Sequence, residues 1–383
     1  MDSVPDHMKK SAQTLDQPYV MITGGCGFIG TNLAHALLKS GRFGRSVLLF
    51  DNLDRPSVKK NRQWLSSEHG KKVQVKVADV RSRYALREAV QNAGQVFHLA
   101  EQVPVTSSLL DTAPDFTVNV QGTINLLEEL RRLKNPPPLL YASTNKVYGS
   151  LSSINLRKNN TRYEPIDPLI RLKGIHEDYP LSFHTHYSCS KGAAEQYVID
   201  YSRTFHLPAV VLRMSSIYGP HQFGTDDQGK GQGKDQGKDQ GEDHSWVAHF
   251  LMRALEKRPI TLYGDGRQVR DILFVEDLVE AFILAITHIQ ELSGQVFNIG
   301  GGHENSLSLL EFIDLITEIH HEKPHCIFSQ WQAGEQWYYV SDITRFHLAT
   351  GWYPKVGVRQ GVENLNTWLH QARDKFSEAL VAN

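Results

Sequence analysis

Tyr19-Val-Met-Ile-Thr23-Gly24-Gly-Cys-Gly27-Phe28-Ile29-Gly30 decides how this chain is built. Its first five residues are a short apolar run of the kind that forms a buried strand. Glycines then recur at every third position, before a helical pattern from Thr31 to Ser40. Where a strand turns sharply into a helix, bare glycine backbone lets a pyrophosphate reach the N–H groups and the positive dipole end of the helix. Gly24, Gly27, Phe28, Ile29 and Gly30 are therefore candidate cofactor contacts. A second strand, Ser46–Phe50, ends in Asp51 and Asn52, about 20 residues beyond the loop. An acidic side chain there accepts from the adenosine ribose hydroxyls and repels a 2′-phosphate, which favours NAD over NADP.

The segments that follow keep alternating between strand and helix. Lys72–Ala78 reads as a third strand, ending in Asp79-Val80, where the carboxylate suits an adenine amino group. Gln95–Ala100 reads as a fourth, and Leu99, Ala100 and Gln102 lie where it would pass the cofactor. Phe116–Leu133 is helical and carries Asn119, placed either at the cofactor or as a buttress of the sheet. Leu139–Thr144 is a fifth strand, Pro208–Arg213 a sixth and Val296–Gly300 the last. This order predicts an α/β fold: a doubly wound parallel Rossmann sheet with a smaller C-terminal α/β substrate domain, and ligands at the carboxyl ends of the strands.

Tyr187-Ser-Cys-Ser-Lys191 opens a helical pattern that runs to Phe205. Tyr187 and Lys191 are four apart and share a helix face. Ala194, Val198 and Tyr201 continue that stripe toward the core. A lysine on such a stripe needs oxygen ligands. Its charge is expected to lower the phenol's pKa from about 10, and approaching 7 would take roughly 4 kcal/mol, more than one lysine supplies but within reach of a lysine together with a positively charged nicotinamide ring. Thr144, at the end of the fifth strand, is placed to reach that phenol.

The charge balance, 41 Lys+Arg against 42 Asp+Glu, argues against nucleic acid or an anionic membrane as a partner. Three scattered cysteines suggest neither a disulfide framework nor a metal site and fit a reducing cytoplasm. No apolar run approaches the ~20 residues of a membrane span. Residues 1–18 read as a loose tail without a signal-peptide core. Residues 226–244 form a Gln-Gly-Lys-rich insertion with no apolar residue to bury, expected to be a disordered loop. Residues 150–181 read as a long irregular loop near the site. The strand Ile272–Val275 follows a Gly264-Asp-Gly turn, Asp277 is expected to cap the next helix, and Leu307–Ile319 reads as the last long helix. Arg270 is a planar donor suited to a diphosphate, or else a partner for Asp271 or another acid.

The glycine loop, Ser143-Thr-Asn-Lys-Val-Tyr-Gly149, Tyr187-x-x-x-Lys191, Arg213–Pro220 and Gly264-Asp-Gly-Arg-Gln-Val-Arg270-Asp271 together resemble the extended short-chain dehydrogenase/reductase family of nucleotide-sugar epimerases and dehydratases. The likeness runs from about Tyr19 to Trp368. Within it the chain is most similar to the branch that inverts C2 of CDP-dideoxyhexoses. The resemblance implies an NAD-binding domain over 19–212 and about 268–300, and a nucleotide-sugar domain over 213–267 and 301–375. It implies Thr144, Tyr187 and Lys191 as the catalytic trio, the last two also touching cofactor. Thr144, Asn145, Lys146, Ser216, Gln222, Trp246 and Arg270 become candidate substrate contacts. A homo-oligomer is implied as well. Family dehydratases place an Asp-Glu pair after the strand-end threonine, whereas Asn145 and Lys146 offer neither a carboxylic acid nor a carboxylate base. The insertion separates Gly229 from Trp246, and Gln332–Trp337 stands where relatives hold nucleotide-binding arginines. A UDP-sugar 4-epimerase, a ketoreductase and a non-catalytic NAD sensor are the competing readings.

Overall fold

A computed structural model describes residues 18–44, 46–102, 112–222, 246–331 and 334–381. The expected tail, but for its last residue, and the 226–244 insertion with Gly229 lie outside these. The glycine-bounded run forms β1 (Tyr19–Thr23), and β2 (Val47–Asp51), β3 (Val73–Val77), β4 (Ala93–His98) and β5 (Leu139–Thr144) follow. A hairpin of β6 (Leu156–Lys158) and β7 (Tyr163–Pro165) precedes β8 (Ala209–Met214) and β9 (Ser216–Tyr218). Then come β10 (Ile260–Tyr263), β11 (Val269–Phe274), β12 (Val296–Ile299), β13 (Ser306–Ser308), β14 (Cys326–Ser329) and β15 (Tyr338–Tyr339).

Seven of these strands form one parallel sheet in the order β12-β8-β5-β4-β1-β2-β3. The order turns back between β1 and β4, so the carboxyl ends of those two strands flank the crevice where such folds bind dinucleotides. Both faces of the sheet are covered, as parallel sheets require. Val20 and Ile22 face a core built with Leu33, Phe97 and Phe282, while Tyr19 and Met21 face another built with Leu86, Leu127 and Val198. Strand period and two-sided burial thus explain why these runs are almost wholly apolar.

Three expectations need correction. Residues 150–181 are not one irregular loop: they contain the β6–β7 hairpin and a helix at Pro168–Lys173, whose start Asp167 caps through Leu169 and Ile170 N–H. Arg162 and Thr161 fasten that hairpin to Glu311 on the helix Leu309–His320. Asp277 caps no helix, because the helix already begins at Val275; its carboxylate instead accepts from the Lys355 and Val356 amides. The chain also ends in a 24-residue helix, Val358–Val381, where only smaller elements were expected around Trp368.

β11 begins three residues earlier than its apolar run suggests and joins no strand of the large sheet. It pairs with β9, β13 and β15 in a four-stranded sheet. The chain returns to the large sheet through the helix Val275–Thr287 and β12.

Beneath the β5 end lies a buried ionic network. Arg213 on β8 pairs with Glu195 at 2.5 Å and donates to the Tyr148 hydroxyl at 2.9 Å, while Ser143 donates to Glu195 at 2.7 Å. Neither charge reaches solvent, so removing one strands the other. Arg213→Met should destabilise the fold by about 3–5 kcal/mol in urea unfolding. Arg213→Met/Glu195→Met should recover much of that loss. Equal stability of wild type and the single variant would show that the pair bears no weight.

Candidate active site

The strand-to-helix turn after β1 is shaped by backbone crowding. Gly24 has φ +66°, and a Cβ there would stand 2.9 Å from Ala100 N. A Cβ on Gly30 would meet the Gly24 carbonyl oxygen at 2.5 Å. The helix Phe28–Ser40 opens at Gly27 with no side-chain cap and no acidic residue in its first turn. Its leading N–H groups and dipole thus face the crevice without internal competition, a fit for a pyrophosphate. Phe28 and Ile29 pack against the core from the first turn.

Asp51 ends β2 at this crevice, with one oxygen accepting from Cys26 N at 3.0 Å and the other from Leu53 N at 2.9 Å. Burial raises its pKa, and those two N–H bonds oppose the rise. Each oxygen keeps a further acceptor position for a ribose hydroxyl. Asn52 reaches the Asp79 carboxylate at 3.4 Å, but Arg81 is that carboxylate's main partner and pulls its pKa down. Asp79 is therefore a shared acceptor rather than a free one. Val80 is buried, and a Cβ on Gly122 would press into it at 2.6 Å.

Thr23 holds the ends of β1 and β4 together. Its hydroxyl accepts from Leu99 N and Ala100 N and sits 2.6 Å from His98 Nδ1. Thr123 donates to the Asn119 carbonyl, so its contact with His98 Nε2 at 3.0 Å needs the hydrogen on Nε2. His98 is then neutral and accepts at Nδ1; burial lowers its pKa to about 3, with Lys191 adding to the effect. Asn119 is buried in the widened turn at Asp115–Gln121. It accepts from Gln102 N at 2.8 Å and donates to Ser190 at 2.9 Å. Its side chain thus ties Gln102 to the Tyr187 helix.

The helix His186–Phe205 starts with Thr185 and Ser188 capping each other, which fixes its first turn beside β5. Thr144 lies near enough to the Tyr187 phenol to favour its ionised form, while its own hydroxyl donates to Asn145 Oδ1 at 3.4 Å. Lys191, 2 % exposed, donates to the Ala142 carbonyl at 2.6 Å and lies 4.7 Å from the Tyr141 ring centroid. The trio is therefore brought together.

The electrostatics differ from expectation. Tyr187 donates to Glu101 at 3.1 Å, and the same Glu101 oxygen lies 3.0 Å from Lys191 Nζ. Burial first, then Glu101, hold the Tyr187 phenol well above its ordinary value, and only Thr144 opposes them. The ammonium does not acidify the phenol here, because its charge is met by Glu101. Burial works against the Lys191 charge, yet Glu101 and Tyr141 outweigh it and raise its pKa. Sequence reasoning missed Glu101, although its place one residue beyond Ala100 at a strand's carboxyl end was a usable signal.

Next to Thr144, Asn145 is buried and Lys146 is exposed. Desolvation by surrounding protein still lowers the Lys146 pKa, Arg270 adds to this and Glu335 resists it. Arg270 bonds Glu335 at 2.5 Å and the Gln336 carbonyl at 2.5 Å. Its acid is thus Glu335 and not Asp271, which instead accepts from Ser215 and Gly302 N. Ser216 accepts from Trp246 Nε1 at 3.4 Å, so those two candidates meet. Gln222 is buried at the last residue described before the insertion.

The chain matches the NAD dependent epimerase/dehydratase family over residues 20–300. It is 37 % identical over 362 residues to the CDP-paratose 2-epimerase of Salmonella typhi, covering 91 % of this chain and 98 % of that one. It is 27 % identical over 378 residues to the dTDP-glucose 4,6-dehydratase of Neisseria gonorrhoeae, covering 93 % and 96 %. A crystal structure of UDP-glucuronic acid 4-epimerase from Bacillus cereus, in complex with UDP-glucuronic acid and NAD, aligns with a TM-score of 0.75 at 26 % identity. That alignment covers 92 % of this chain and 99 % of the other. No helix among the described residues is long and apolar enough to cross a membrane. The chain belongs to the NAD dependent epimerase/dehydratase family, and NAD is its cofactor.

Proposed function

We propose that this chain epimerises a nucleotide sugar by oxidising one ring carbon and returning the hydride to its other face, with C2 of a CDP-dideoxyhexose as the reacting centre. The observation that carries this reading is the meeting of Thr144, Tyr187 and Lys191 at the carboxyl end of β5, beside the glycine turn. Bound NAD supplies a reversible hydride acceptor. Gly24–Gly30 and Asp51 would hold its pyrophosphate and ribose, and Asp79 would share its carboxylate with the adenine. In its phenolate form, Tyr187 would take the proton of the sugar hydroxyl as the carbon is oxidised and give it back on reduction. Thr144 orients the phenol, and Lys191, anchored on Ala142, supplies the nearby positive charge.

The residues after Thr144 choose among the family's reactions. Loss of water needs a general acid and a carboxylate base at the sugar. Asn145 and Lys146 provide an amide and an ammonium, so the transient ketone finds no carboxylate base there for elimination. Lys146 and Arg270, flanking Glu335, would face the diphosphate, with Ser216, Gln222 and Trp246 on the nucleotide side. The likeness to the Salmonella typhi enzyme favours C2 and cytidine. The likeness to a UDP-glucuronic acid 4-epimerase supports a second reading, inversion at C4 of a UDP-sugar. We divide the chain into a cofactor domain, 19–212 with about 268–300, and a nucleotide-sugar domain, 213–267 with 301–375, with β11 of the first domain pairing into the smaller sheet. We place it in the cytoplasm as a homo-oligomer.

Incubation with CDP-, UDP-, GDP- and dTDP-sugars in deuterated water, followed by NMR, tests the reading. Inversion at one carbon without solvent deuterium is expected; deuterium at that carbon would replace hydride shuttling with enolisation. No 4-keto-6-deoxy sugar should form from any substrate, and its appearance would refute the role given to Asn145 and Lys146. Tyr187→Phe should lower turnover by about 10²–10⁴-fold, while NAD affinity measured by calorimetry stays within a few-fold of wild type.

A further inference from the structure

Glu101 stands just beyond the carboxyl end of β4, and a single oxygen of its carboxylate accepts from both Tyr187 and Lys191. An ammonium has three N–H donors. One goes to the Ala142 carbonyl, one to Glu101, and the third side of the group faces Tyr141. Protein groups thus meet the whole of the Lys191 charge. The phenol has one proton, and that proton is directed at a carboxylate.

Among the described residues, the turn packed on the Tyr187 helix brings Asp115, a buried carboxyl that faces His186 beside Tyr187. From β4, His98 is neutral, with both ring nitrogens on threonines. From β5 come Tyr141, which also raises the Tyr187 pKa, and Thr144, which lowers it. From the helix, Glu195 one turn beyond Lys191 is paired with Arg213. The charges that decide are Lys191, which favours phenolate, and Glu101, which opposes it and offsets the lysine.

We propose that Glu101 is a positioning residue that holds Tyr187 as a protonated donor and sets the pH above which Tyr187 can act as a base. This rests on the reading of Tyr187 as the base of the reaction. Neutralising Glu101 leaves Lys191 uncompensated beside the phenol, so the phenolate should then form at lower pH.

The test is a pH titration of tyrosinate absorbance in wild type, Glu101→Gln and Glu101→Asp, each corrected by the same protein carrying Tyr187→Phe. The Tyr187 signal should appear about one pH unit or more lower in Glu101→Gln than in wild type, with Glu101→Asp between them. An unchanged or higher midpoint overturns the proposal, as does a Tyr187 that ionises in neither protein before unfolding. Should Glu101→Gln fail to fold, the charge-retaining Glu101→Asp still reads the direction of the shift. Turnover against pH separates the two ideas. If Tyr187 ionisation shifts while Tyr187→Phe leaves turnover intact, Glu101 keeps its role and the base assignment falls. If Tyr187→Phe abolishes turnover while its ionisation ignores Glu101, the base assignment stands and Glu101 loses its role.

Discussion

A lysine ammonium withdrawn from water is the constraint around which this site is arranged. Lys191 is 2 % exposed, and an ammonium in that position survives only among oxygens and an aromatic face. Those partners come from two separate places: β5 gives the Ala142 carbonyl and the Tyr141 ring, and the segment after β4 gives Glu101. Meeting them fixes how far along β5 the helix His186–Phe205 may sit and how it is rotated. Tyr187, one turn earlier on the same face, is thereby delivered to Thr144. One turn later, Glu195 meets Arg213 and Ser143, so the helix is held from below by a second desolvated charge. The catalytic geometry follows from where buried charges find partners more than from any fit of apolar surfaces.

This explains what could be read from the residues alone. The parallel sheet was legible because its strands are short, wholly apolar and alternate with helices, and the glycine turn was legible because only glycine tolerates the contacts at Gly24 and Gly30. Thr144, Tyr187 and Lys191 were legible through strand-end position and helical spacing. Partnerships were not. Arg270 had several acids within reach in sequence, and only the folded chain brings Glu335, 65 residues away, to its guanidinium. Asn119 had two readings, and the widened turn at Asp115–Gln121 turned it toward Gln102 and Ser190. Asp277 looked like a cap because helix starts favour acids, yet backbone amides 78 and 79 residues on claimed its carboxylate. Residues 150–181 gave no periodic signal because each element there is at most six residues long.

The same logic clarifies why the phenol was misjudged. The spacing of Tyr187 and Lys191 correctly placed a cation beside a phenol, and a cation alone favours phenolate. What holds the phenol up is burial first and then a third charge, Glu101, which lies 86 residues from Tyr187 in the chain. A pairwise rule applied to helix neighbours omits it. Buried sites amplify such omissions, since Coulomb terms between neighbouring charges grow as water is excluded.

The two sheets also bear on how one molecule can be held at both ends. β8 ends at Met214 and β9 begins at Ser216, so the large sheet passes almost directly into the strand that pairs with β11. Arg270 lies on that same β11, two residues before Ile272 pairs with Ser216, and is itself in register with Leu307 of β13 and Tyr339 of β15. Gln336 closes the frame from the other side: its side chain donates to the Gly149 carbonyl at 2.8 Å, while its own carbonyl accepts from Arg270. Glycine 149 lies five residues beyond Thr144, so the span from the Thr144 hydroxyl to the Arg270 guanidinium is braced by hydrogen bonds along both routes. A rigid span of this kind can keep a diphosphate fixed at one end while the sugar turns at the other. Return of the hydride to the opposite face requires that freedom at the ring and forbids it at the nucleotide.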